Sequence, residues 1–140
     1  MEVKPAKGAD LALLVEIYNT SRANIGCYAG TALDPEQFAA VVDGEEVHVA
    51  VLEGTIVGFV SVWAAERFIH HLYVAPQHQG RGVGSELLRT CVMIYGVPLS
   101  LKCDMCNEHA QSFYRRKGWL PGEEGVGADG PWNRFELLRA

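Results

Sequence analysis

Six consecutive residues, Gln79-Gly80-Arg81-Gly82-Val83-Gly84, carry the clearest chemistry in this chain. They follow a strand-like run, Phe68-Ile69-His70-His71-Leu72-Tyr73-Val74, and open a helix-like run at Ser85-Glu86-Leu87-Leu88-Arg89. Strand, glycine-rich turn and helix start together make an anion cradle. Glycine lets the backbone approach a ligand closely, and the first helical turn offers unpaired N–H donors at its positive dipole end. Arg81 adds a full charge with bidentate donors. These residue types point to a phosphorylated ligand.

Other reactive side chains carry weaker patterns. Cys103-Asp104-Met105-Cys106, with His109 three residues later, has a zinc or redox spacing. No second pair matches it, and it falls where a strand passes into a helix, so no metal site is expected. His70 and His71 would project from opposite faces of a regular strand and could not share one ion. His48 and His78 read as exposed or edge residues. The four cysteines, Cys27, Cys91, Cys103 and Cys106, are even in number. Met1-Glu2-Val3-Lys4-Pro5 shows no apolar signal core, so free thiols and a cytoplasmic location are expected.

The elements that must position these groups follow from periodicity. A first strand is expected near Val3. Leu11, Leu14, Val15 and Tyr18 set a helix over residues 9–21. Asn24 to Asp34 reads as a loop. Asp34-Pro35-Glu36 then reads as N-cap, first-turn proline and acidic first turn of a helix reaching Val42. Strands are expected over 47–52, 56–64 and 67–74, with a tight turn at Glu53-Gly54. A helix over 82–95, a strand over 99–103 and a helix over 107–117 follow. Another strand begins at Gly118-Trp119-Leu120. Residues 122–130 read as a flexible glycine-rich turn, and Trp132 to Leu138 as the final strand. The order predicts a single α/β domain: a mixed, mostly antiparallel sheet with helices against it. Hydrophobic content of 49% and charged content of 21% suit a globular chain. A net charge of -5 argues against broad nucleic-acid or acidic-membrane binding. The apolar runs are too short to cross a bilayer.

Three readings compete for the glycine turn. The dinucleotide pattern G-x-G-x-x-G nearly fits from Gly80, with Asp104 about twenty residues beyond the glycines as a ribose-binding acid. Its third position, however, is Ser85, the turn follows an antiparallel meander, and too little chain remains for the other half of that fold. The Walker pattern fails because no Gly-Lys-Ser or Gly-Lys-Thr follows. Third, Gln79-x-x-Gly82-x-Gly84 resembles the acyl-CoA pyrophosphate signature of the GNAT N-acyltransferases. Leu72-Tyr73-Val74-Ala75-Pro76 resembles that family's fourth strand and its exit, and the segment from Asn107 to Trp119 resembles its second cofactor motif. The resemblance is tight from about Val57 to Leu120.

The resemblance implies a sheet of six to seven strands flanked by about four helices, with the fourth and fifth strands splayed. It implies that Leu72, Tyr73 and Val74 hold the pantetheine arm of acetyl-CoA, and that Gln79, Gly80, Arg81, Gly82, Val83, Gly84 and Ser85 hold its pyrophosphate. Asn107 would contact the arm as well as cap its helix. Tyr114 matches the tyrosine that would protonate the leaving thiolate, whose free thiol has a pKa of about 8.5. His70 or Glu66 would take the amine proton, His70 having a reference pKa of about 6.5. A fourth-strand N–H, from Leu72 or a neighbour, would serve the oxyanion.

The acceptor, a small-molecule or peptide amine, would lie over the first two helices, with Tyr28, Trp63 and His71 as candidate walls. Trp132 could close over it or meet a second subunit. The implied activity is acetyl transfer to a primary amine by direct attack, in a monomer or homodimer, without metal, nucleic acid or membrane. Alternatives are a non-catalytic acyl-CoA sensor or partner-binding module on the same scaffold and, less favoured, a dinucleotide oxidoreductase.

Overall fold

Apolar alternation through the middle of the chain builds the sheet that everything else packs on. The computed structural model describes residues 1–140. Its strands are β1 (Glu2–Pro5), β2 (Glu46–Leu52), β3 (Thr55–Trp63), β4 (Phe68–Val74), β5 (Leu99–Asp104), β6 (Leu120–Gly127) and β7 (Gly130–Leu137). Its helices are α1 (Leu11–Ile25), α2 (Pro35–Val41), α3 (Val83–Tyr95) and α4 (Glu108–Arg116). The sheet order is β1-β2-β3-β4-β5-β7-β6, and only the β4–β5 neighbours run parallel. Those two strands pair only at Phe68↔Ser100 and Ile69↔Leu101, then diverge.

Local chemistry explains most element ends. Glu53 and Gly54 both take left-handed backbone (φ 51° and 78°), as the two-residue hairpin joining β2 to β3 requires. The Asp34 carboxylate accepts from the Gln37 N–H at 2.8 Å, while the Gln37 side chain accepts from the Asp34 N–H at 2.9 Å. That reciprocal cap starts α2 with Pro35 in its first turn. Helix α1 runs to Ile25, four residues past the expected end, and stops where Gly26 turns left-handed.

The sheet is covered on both faces. Helices α3 and α4 supply Leu87, Cys91 and Tyr114 to a core with Val60, Val62, Leu101, Trp119 and Phe135. On the other face α1 and α2 bring Leu14, Ile17 and Phe38 against Val49 and Phe59. No helix is long and apolar enough to cross a membrane.

Two expectations fail here. Residues 122–127 form the end of β6 rather than a flexible turn. Gly125 lies opposite Trp132, and a Cβ at Gly125 would sit 2.2 Å from the indole Cζ2. Glycine is needed there because the indole folds back over its own hairpin, with Lys102 Nζ 4.4 Å from its ring centroid.

His48, expected at the surface, is buried in β2, with Nε2 2.6 Å from Tyr95 Oη. Burial lowers its pKa against a smaller opposing pull from Glu46. The unfolded chain takes up this proton near pH 6.5, the folded chain only below that. The stabilising contribution is therefore full above the unfolded value and is lost on acidification. Melting temperatures measured between about pH 7 and 5 should fall less steeply in His48→Gln than in wild type. Parallel curves would refute this role.

Candidate active site

The divergence of β4 from β5 opens a groove of about 840 Å³. Leu72, Tyr73 and Val74 of β4 line one side, and Asn107 and Tyr114 line the other. Gln79, Gly80, Gly82, Val83, Gly84 and Ser85 close one end. Arg81 is exposed and is not part of the lining. Gly80 and Gly82 both take left-handed backbone (φ 78° and 79°), and a Cβ at either would meet open space. The constraint is thus on conformation rather than on room, since L side chains rarely adopt these angles. No side chain caps α3, so the first-turn amides lie at the groove end without side-chain acceptors. The residues fit an anionic, phosphate-bearing ligand on these grounds.

Asn107 caps α4, its Oδ1 accepting from the Ala110 N–H at 3.2 Å. Tyr114, about two turns further along, is packed by Phe113, Trp119 and Phe135 with ring centroids 5.3–5.7 Å away. Burial raises its phenol well above the ordinary range, so it remains protonated at neutral pH.

Several lining residues escaped the sequence reading. Ser21, Asn24 and Ile25 reach the groove because α1 is longer than its apolar spacing indicated. His78 lines it as well, with a buried Nδ1 that lacks a hydrogen-bond partner. Its position beside Gln79 was the available signal. Arg116 and Lys117 add positive charge from the end of α4.

The histidines of β4 are arranged by a bulge. Ser61 pairs with His71 and Val62 with Ile69, leaving His70 as the extra residue. A bulge breaks the two-residue alternation. The His70 and His71 rings consequently lie together, centroids 3.8 Å apart, instead of on opposite faces. Ile69 joins Leu72 and Val74 toward α3, while His71 and Tyr73 meet Tyr18 of α1. Simple alternation along β4 would instead have put Ile69 with His71 and Tyr73.

Hydrogen bonds give the two imidazoles different properties. His70 Nδ1 donates to Glu45 Oε2 at 2.6 Å, which leaves Nε2 as the free lone pair. His71 is buried, with Nδ1 2.8 Å from Ser61 Oγ. Burial, reinforced by nearby His70 and Arg22, pushes its pKa down to about 3. It is neutral at physiological pH and unsuited to holding an amine proton. Glu66, the alternative base named from sequence, ends the short helical turn Ala64–Glu66 and is exposed. Trp63 packs against Gly44 at the end of β3, and neither it, Tyr28, His70, His71 nor Glu66 lines the groove.

Tyr28 belongs to a polar cluster beside the groove. The Arg22 guanidinium lies over its ring, 4.0 Å from the centroid, and burial, with Tyr73 and Asp104 nearby, raises its phenol pKa. Arg22 donates to Tyr73 Oη at 3.1 Å and to Asp129 at 3.3 Å. The loop carrying Tyr28 is further tied down by a Cys27–Cys106 disulfide, contrary to the expectation of four free thiols. The fold brings these Cα atoms within 6.1 Å although 79 residues separate them in sequence. Cys106 lines the groove, whereas Cys91 and Cys103 are free and buried. The C-x-x-C spacing is therefore divided between a disulfide and the core.

Comparison with known proteins bears on what such a groove does. The model of the GNAT acetyltransferase family matches residues 13–119. A 5-NmdU N-acetyltransferase of Pseudomonas phage PaMx11 is 33% identical over 89 residues, 60% of this chain. The match covers 64% of that relative, so the chain spans less than two thirds of its length. A GCN5-related N-acetyltransferase from Rhodopseudomonas palustris superposes with TM-score 0.84 at 21% identity, over 98% of this chain and 94% of the other. The Salmonella typhimurium protein yncA, solved with its cofactor acetyl-CoA, superposes with TM-score 0.73 at 19% identity, over 98% and 92% of the two chains. The divergent strand pair, the glycine loop at the start of α3 and the match across residues 13–119 agree, and the chain belongs to the GNAT acetyltransferase family.

Proposed function

We propose that this protein transfers the acetyl group of acetyl-CoA to a primary amine by direct attack. The observation that carries the reading is the groove between β4 and β5, closed at one end by the Gln79–Ser85 loop and flanked by Tyr114. The pyrophosphate lies on the loop amides and the first turn of α3, and the pantetheine arm lies along Leu72 to Val74. Arg81, exposed at the loop, adds positive charge without lining the groove.

The acceptor approaches from the α1–α2 side, where Tyr28, Trp63 and His71 form its surroundings. Its nitrogen attacks the thioester carbonyl while Nε2 of His70 takes the amine proton. Glu45 keeps His70 in the tautomer this requires. A backbone N–H of β4, at Leu72 or a neighbour, stabilises the oxyanion. As the C–S bond breaks, the Tyr114 phenol donates its proton to sulfur. The setting belonging to this reading is the cytoplasm.

The test is calorimetric titration with CoA and acetyl-CoA, followed by thiol release across a panel of small amines, amino acids and peptides. Binding with amine-dependent release supports the reading. Binding without release from any amine would favour an acyl-CoA sensor, and no CoA binding would overturn both. Gly82→Val forces a β-branched residue to φ near 79° in the loop. Strain of about 1–3 kcal/mol should raise the Kd for CoA by about tenfold or more, with secondary structure retained by circular dichroism.

A further inference from the structure

One group of side chains at the start of β4 has more binding capacity than its contacts use. The Glu45 side chain is only 7% exposed, yet Oε1 has no hydrogen-bond partner. A buried carboxylate oxygen without a donor is costly, and such groups are rare unless a ligand completes them. Its other oxygen holds His70, whose ring lies against that of His71. Ligand-capable atoms of Glu45, His70 and His71 all fall within 4.8 Å of one another. The β4 bulge makes this possible by putting two consecutive histidines on one side of the sheet.

We propose that Glu45, His70 and His71 bind a divalent transition-metal ion of the zinc class. Two imidazoles and one carboxylate suit zinc, nickel or copper, whereas magnesium and calcium favour sets made of oxygen. Ser61 holds His71 Nδ1 and leaves Nε2 for the ion, the arrangement in which an outer partner orients a metal-ligating histidine. Three protein ligands leave one position open, and the His70 side chain, 41% exposed, gives the site access to solvent. Binding extends beyond the acetyl-transfer reading and does not depend on it. If that reading holds, the ion occupies the face from which His70 serves the amine and slows turnover.

The full chain, stripped with EDTA, is titrated with Zn²⁺ in a calorimeter and with Co²⁺ by absorption. One ion per chain is expected, with a Co²⁺ spectrum of nitrogen and oxygen ligation. Glu45→Gln and His71→Gln should each weaken binding at least about tenfold. Ser61→Ala, which retains all three ligands, should weaken it by about 10- to 100-fold. Circular dichroism and thermal melting check that each variant is folded. The proposal is overturned by absence of Zn²⁺ binding, by unchanged affinity in folded Glu45→Gln and His71→Gln, or by Co²⁺ bands of thiolate ligation, which would put the ion on cysteine. Failure of the acetyl-transfer reading alone leaves these titrations unchanged.

Discussion

Tyr114→Phe is expected to lower kcat for acetyl transfer by about 10²-fold, the lower end of what positioned proton transfer contributes. The substitution removes one oxygen and keeps the ring that packs against Phe113, Trp119 and Phe135. CoA affinity and melting temperature should therefore change little. Burial keeps the phenol protonated at neutral pH, so the proton is present when the thiolate leaves, while the raised pKa makes it the weaker acid and places the expected effect at the low end of the range. Rates are to be compared in single-turnover experiments, where chemistry limits the signal. A variant within about threefold of wild type, well short of the general-acid range, would remove Tyr114 as the acid and leave it as a wall of the groove.

Trp119→Ala should be the most damaging single change to stability. Trp119 is 2% exposed and lies between the sheet and α4, with its ring centroid 5.6 Å from that of Tyr114. Truncating a fully buried aromatic costs about 3–5 kcal/mol, the transfer term plus the cavity left behind. Native stabilities of about 5–15 kcal/mol make that a large share of the whole. Urea unfolding should show a lower midpoint with an unchanged slope. A loss below about 1 kcal/mol would mean that the surrounding core collapses into the space with little residual cavity. Tyr114 would then be held chiefly by Phe135 and its own helix.

Local signals in the sequence were the most dependable. Asp34-Pro35 announced α2 because its cap is made by residues within one turn. Gln79 to Gly84 and Asn107 to Lys117 announced the groove because each is a contiguous strand-to-helix or loop-to-helix junction. Pairing across distance was not legible. Periodicity assigns His70 and His71 to opposite faces, and only their register against β3 reveals the bulge that unites them. Glu45 gives no sign of a role until the fold brings it to His70 across 25 residues. Cys27 finds Cys106 in the same way, although composition and the amino terminus favoured free thiols. The glycines of β6 were misread for another reason. Their small size is a response to Trp132 on the neighbouring strand, which resembles flexibility when the chain is read alone.

Because β4 and β5 share just two residue pairs, the sheet is in effect two ribbons, β1 to β4 and β5-β7-β6, joined mainly by the packing of side chains. Those amides of Leu72 to Val74 that point away from β3 have no neighbouring strand to protect them. In deuterated solvent they should exchange early in the ligand-free protein, while amides shared between β2 and β3 remain protonated far longer. A cofactor arm lying along β4 would act as the missing ribbon, and its arrival should be readable as deuterium withheld from those few positions.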